Sequence, residues 1–109
     1  MLNVSCNVGI RLPIAVGNGG TAGYAAIVQV NSQANTQAEA DDFIRSVRVE
    51  TVRTVQAQVS IFPGLTKYGI SEDDARRVVV ITAKRLSQVF QCNVIPILSE
   101  ANMNINLSG

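Results

Sequence analysis

The chain has no histidine, no tryptophan, only two cysteines and few charges, and each scarcity removes a class of chemistry. Without histidine there is no ready general base near neutral pH and no imidazole to hold a metal. Cys6 and Cys92 lie far apart among apolar residues, with no Cys-x-x-Cys spacing. They are expected as buried free thiols in a reducing compartment. Charged residues make up 16% of the chain and the net charge is +1, against about 25% charged in an average domain. Such a surface resists self-association poorly, and it lacks the wide basic footprint of a DNA- or RNA-binding domain. No run approaches the ~20 apolar residues of a membrane span. Met1-Leu2-Asn3-Val4-Ser5 has no basic segment leading into an apolar one, so no signal peptide is expected and the assigned location is the cytoplasm or a virion.

Aliphatic residues are what the chain has instead. It is 47% hydrophobic over 109 residues, enough for one core built on Val, Ile, Leu and Ala. Residues 1–98 are expected to form a single compact α+β domain. Residues 99–109 are read as a tail that serves as an edge or exchanged strand.

Leu2, Val4, Cys6, Val8, Ile10 and Leu12 alternate with Asn3, Ser5, Asn7, Gly9 and Arg11, the period of a half-buried strand. Pro13 puts its far end at an edge or bend. Tyr24, Ala26, Val28 and Val30 repeat the pattern as far as Asn31-Ser32-Gln33. Between the two lies Gly17-Asn18-Gly19-Gly20-Thr21-Ala22-Gly23. Gly17-x-Gly19-x-x-Ala22 fits a loose dinucleotide fingerprint, but a phosphate cradle needs a helix to open behind it. The residues after Gly23 are strand formers, and a P-loop lysine is missing. Asn18-Gly19 between two apolar runs reads as a type I′ hairpin turn. The surplus glycines lengthen its tip, which makes Gly17, Asn18, Gly19, Gly20 and Thr21 candidate contacts for a neighbouring subunit.

Thr36-Gln37-Ala38-Glu39 is a capping box, opening a helix whose buried stripe is Ala40, Phe43, Ile44 and Val47. Near Thr54 the period changes. Val55, Ala57, Val59 and Ile61 alternate with Gln56, Gln58 and Ser60, which predicts a strand ended by Pro63-Gly64. Ser71 caps a second helix with Ala75, Val78, Val79, Thr82, Leu86, Val89 and Phe90 on one face. Residues 94–98 read as a strand that Pro96 makes an edge or bulged one. Met103, Ile105 and Leu107 alternate with Asn102, Asn104 and Asn106 and are candidate contacts in a C-terminal strand. The expected fold is α+β, with a mixed, mostly antiparallel sheet of about five strands and two helices packed on one face. The expected order is β-β-α-β-α-β with an extra C-terminal strand.

Asp41-Asp42 and Asp73-Asp74 sit at helix starts. Adjacent helical residues diverge by about 100°, so neither pair converges on one point, and the helix dipole accounts for both. Arg77, Val80, Ile81, Lys84 and Arg85 fall away from the buried stripe of the second helix. They form a candidate face for a protein partner or a phosphate backbone. No nucleophile stands beside a base, and no catalytic, cofactor or metal residue is assigned.

The leading expectation is a non-enzymatic, homo-oligomeric structural or assembly protein, for example a virion or particle subunit. Its hairpin tip and terminal edge strands would make the subunit contacts. The alternative is a nucleic-acid-binding accessory or regulatory protein using Arg77, Lys84 and Arg85 with Arg45, Arg48 and Arg53. A third reading, a small nucleotide-binding enzyme, rests on the glycine loop alone.

Overall fold

Strict alternation carries through both N-terminal segments. In a computed structural model describing residues 1–17, 19–62 and 69–98, β1 (Leu2–Ala15) pairs antiparallel with β2 (Thr21–Ala34) along its whole length. The even residues Val4, Cys6, Ile10, Leu12 and Ile14 are buried, as are Tyr24, Ala26, Val28 and Val30 opposite them. At the tip, Val16 N–H donates to the Gly20 carbonyl at 3.1 Å and Gly19 N–H to the Val16 carbonyl at 3.2 Å. Gly19 has φ +83°. This is a three-residue connection with glycine in the left-handed position, not the two-residue turn expected from Asn-Gly. Asn18 itself lies outside the described residues.

The capping box forms with its reach shifted by one residue. Thr36 Oγ1 accepts from Glu39 N–H at 3.1 Å, while Glu39 Oε1 accepts from Asn35 N–H at 2.9 Å. Thr36→Ala removes the first of these acceptors and should lower stability by about 1 kcal/mol in a denaturant or thermal melt. Thr36→Ser should restore most of it.

The helix so started, α1 (Gln37–Val59), runs straight through the segment expected to be a strand from Thr54. The alternation at 55–61 is local coincidence. Val47, Thr51, Val55 and Val59 also recur every four residues, which keeps one helical face on the core. Gln58, read as a polar sheet residue, turns inward. Its Nε2 donates to Thr82 Oγ1 at 2.9 Å and to the Val78 carbonyl at 3.3 Å, tying the two helices together. The expected terminator Pro63-Gly64 lies outside the described residues.

Ser71 Oγ accepts from Asp74 N–H at 3.0 Å and caps α2 (Glu72–Phe90), which ends where Gln91 takes a left-handed φ of 50°. Ala75, Val78, Val79, Thr82 and Leu86 are buried as the periodicity requires, and Ala83 joins them. Val89 does not: it is exposed, while Phe90 meets Phe43 edge-on with ring centroids 5.4 Å apart. The chain then returns as β3 (Asn93–Ile97), antiparallel to β2, with Asn93 opposite Asn31 and Ile97 opposite Ile27.

The architecture is α+β, a three-stranded antiparallel sheet in the order β1-β2-β3 with both helices on one face. Among the described residues the element order is β-β-α-α-β. Among the described residues the sheet has three strands rather than about five: the strand expected from Thr54 is instead the last turns of α1, which ends at Val59. The residues of the expected C-terminal strand, 102–107, lie outside the described residues.

Candidate functional site

Two helices cover one face of the sheet and nothing among the described residues covers the other. The shortest dimension of the molecule, 18 Å, suits two layers and no third. Arg11 is the one charge in the three strands, so the charges of the described residues sit almost entirely on the helices. Across the bare face, the paired strands set Asn3 beside Gln33, and they line up Ser5, Asn31 and Asn93 in one row and Asn7, Gln29 and Ile95 in the next, with the β2 residue in the middle of each. Ser5 Oγ donates to Asn31 Oδ1 at 3.1 Å, and Gln33 Nε2 to Asn3 Oδ1 at 3.3 Å. Farther along, Ile27 and Ile97 are direct partners, and with Ile95 they make an apolar cluster exposed by 38–46%. Solvated sheet faces more often carry Lys, Glu and Thr; this one carries amides, small residues and isoleucine.

Among the described residues, the outer edge of β1 is unpaired for most of its length. A strand residue points its N–H and C=O to the same edge, and successive residues point to opposite edges. Ala15 N–H donates to the Ile70 carbonyl at 2.8 Å, and the Pro13 carbonyl accepts from Ile70 N–H at 3.0 Å. Odd-numbered residues therefore address the outer edge, and Pro13 loses no bond to β2 by lacking an N–H. By the same alternation Asn3, Ser5, Asn7, Gly9 and Arg11 aim five N–H and five C=O groups at that edge. Among the described residues no strand lies against them. Beside this edge runs a groove of ≈ 150 Å³ between β1 and α1, lined by Val8, Ile10, Thr51, Val52 and Val55 among others. Val52 is 53% exposed.

The opposite edge, on β3, has its own groove of ≈ 340 Å³, lined by Val80, Ala83, Lys84, Ser87, Val94 and Pro96 among others. There the outward-pointing residues are Val94 and Pro96, and proline has no N–H to offer. Edge protection by proline is present on β3 and missing along residues 2–12 of β1.

The helix candidates do not form one continuous stripe. Val80 and Lys84 line the groove toward β3, Arg85 leans toward Glu50 of α1 at 3.9 Å, and Ile81 stands exposed between them. Arg77 meets Asp74 at 3.5 Å. Arg45 pairs with Asp42 at 2.8 Å and Arg53 with Glu50 at 3.7 Å, whereas Arg48 and Lys84 make no ion pair among the described residues. In the hairpin tip, Gly17, Gly19, Gly20 and Thr21 are exposed. Thr21 opens a strand, so no helix N-terminus backs the glycines and the geometry of a phosphate cradle is not built. Met103, Ile105 and Leu107 fall outside the described residues.

Sequence reasoning missed Ile27, Ile95, Ile97 and Val52. The first has a readable signal, because it interrupts the polar phase of β2. The groove at Val52 has none, since α1 was ended before its neighbour Val55 joined the same face.

Cys6 is buried and Cys92 half-buried, both free. Burial pushes the Cys92 thiol above its ordinary pKa, keeping it protonated and sluggish at neutral pH. Among the described residues no three His, Cys, Asp or Glu side chains gather in a way that would hold a metal ion, and no helix is long and apolar enough to cross a membrane. No family model, curated protein or solved structure matches this chain.

Proposed function

We propose that this protein is a non-enzymatic structural or assembly subunit that binds further copies of itself through its sheet. One observation carries the reading: among the described residues the three strands that make the bare face and the long β1 edge hold a single charged side chain, Arg11, while the helical layer takes nearly all the rest. A nearly neutral surface can be buried against its own copy without desolvating ions and with no clash of like charges, provided its amides find hydrogen-bond partners. The Ile27, Ile95 and Ile97 cluster supplies apolar area to bury, and the exposed hairpin tip extends the surface that a neighbour can touch. A virion or another closed particle is the kind of assembly such a subunit would build.

The nucleic-acid reading draws less support, because Arg45, Arg53, Arg77 and Arg85 each have a carboxylate partner within 4 Å. A phosphate backbone would have to compete with those partners.

Size-exclusion chromatography with light scattering on the full chain is the test. The expected mass is a multiple of the 11.6 kDa protomer. A monodisperse monomer at high micromolar concentration would remove the proposal.

A further inference from the structure

The five outward N–H and C=O pairs of β1 call for a strand with the same two-residue period, and β1 is itself such a strand. Resting on the self-association proposed above, we infer that two copies join by antiparallel pairing of their β1 edges. The product is one six-stranded sheet across a two-fold axis, centred on Asn7.

The register follows from the chemistry. Outward residues are odd-numbered, so hydrogen-bonded pairs must join odd to odd. Centring on Asn7 uses all of residues 3–11: Asn3 faces Arg11 of the second copy, Ser5 faces Gly9, and Asn7 faces Asn7. No like charges meet, and the Asn7 amides are placed to bond each other. The even residues then fall as Val4 opposite Ile10 and Cys6 opposite Val8, which are apolar on both sides of the seam. A two-fold perpendicular to the sheet keeps both helical layers on the same side. The groove of Val8, Ile10, Thr51, Val52 and Val55 thus lies along the seam, where α1 of one copy approaches α1 of the other. Val52, 53% exposed, is available to such a contact. The clip from Ile70 to Pro13 and Ala15 closes β1 just beyond the paired stretch, so the open edge has a defined end. The β3 edge is a poorer acceptor because Pro96 removes one of its donors.

Residue-resolved amide hydrogen exchange on the full chain tests this, at a concentration where light scattering reports a multimer. The expected result is that Asn3, Ser5, Asn7, Gly9 and Arg11 exchange roughly tenfold or more slowly than in the diluted monomer. The even amides of β1, bonded to β2, should be protected in both. A multimer whose five odd amides exchange freely would overturn this pairing and leave self-association standing; a chain that is monomeric throughout would remove both.

Asn7→Pro provides the second readout. Its N–H faces away from β2, as that of Pro13 would, so the circular dichroism spectrum should be kept while the mass falls to half or less. Val52→Lys, on the exposed side of α1, should weaken association without touching β1. A folded Asn7→Pro or Val52→Lys chain with undiminished mass contradicts the inference. In the full chain, Met103→Asp with Ile105→Asp should leave the protection unchanged. If that double variant frees the odd amides, the strand on β1 is the C-terminal segment and the β1 pairing is wrong.

Discussion

Gly69→Ala is expected to lower stability by roughly 3 kcal/mol or more, the sum of a left-handed backbone penalty and two compromised hydrogen bonds. Gly69 has φ +74°, and a Cβ built there would lie 2.6 Å from the Ile14 carbonyl carbon and 2.8 Å from Ala15 nitrogen. These are backbone atoms held in β1 by pairing with β2, so neither can yield cheaply. Relief requires moving Ile70, whose N–H and C=O clip Pro13 and Ala15. Gly19→Ala separates the two contributions. Gly19 is also left-handed, at φ +83°, but its Cβ would meet nothing within 4 Å. It should therefore lose only the backbone part, about 1–2 kcal/mol. Equal losses in urea melts of the two variants would show that the close approach at Ile14 is not real. The clip also matters to the proposed seam. Loosening it should speed exchange at Ala15 and lengthen the open edge of β1.

Leu86→Ala should cost 2–5 kcal/mol, the usual range for emptying a well-packed leucine site. Leu86 is fully buried on α2 within the core that holds Tyr24, Val28, Val47 and Val79. Both helices and the sheet converge on that core, so collapse around the cavity is restricted from several sides. In a domain of this size the loss corresponds to a fall in Tm of roughly 10–20 °C. Val89→Ala is the control on the same helix: 42% exposed, it should lose well under half as much. Both melts belong at one fixed protein concentration, since association raises the apparent stability of any variant that still associates. A loss below about 1 kcal/mol at Leu86 would mean that the core does not close over this position.

The parts legible in the sequence were those governed by near neighbours. Leu2 to Leu12 alternate because one face of that strand is buried; the structure buries Val4, Cys6, Ile10 and Leu12 on that face and half-buries Val8, while Leu2 at its start stays exposed. Thr36 and Ser71 were recognisable as caps because a hydroxyl directly before a first turn that carries acids satisfies the amide three residues on. The α2 stripe from Ala75 to Leu86 stood out because its period runs for more than three turns. Residues 55–61 were misread because seven residues satisfy period two and period four almost equally well. The deciding contact, Gln58 to Thr82 across 24 positions of sequence, has no local signature.

The same division holds for the site. Scarce charge was evident in the composition, but not that it would all but vanish from the sheet and gather on the helices. The glycine loop was correctly placed at a hairpin tip, while its turn type depended on Val16 and Gly20 meeting across the ladder. Which edge lies open is a matter of strand order, and strand order is set by how β3 returns past α2 to pair with β2. The sequence alone therefore determined the hairpin, both caps, the α2 stripe and a weakly charged surface, since each follows from side chains within a turn or two of one another. Only the tertiary structure decided that α1 stays helical to Val59, that β2 is central, and that among the described residues nothing pairs with the five outward donors and acceptors along residues 2–12 of β1, because those outcomes depend on contacts between residues far apart in the chain.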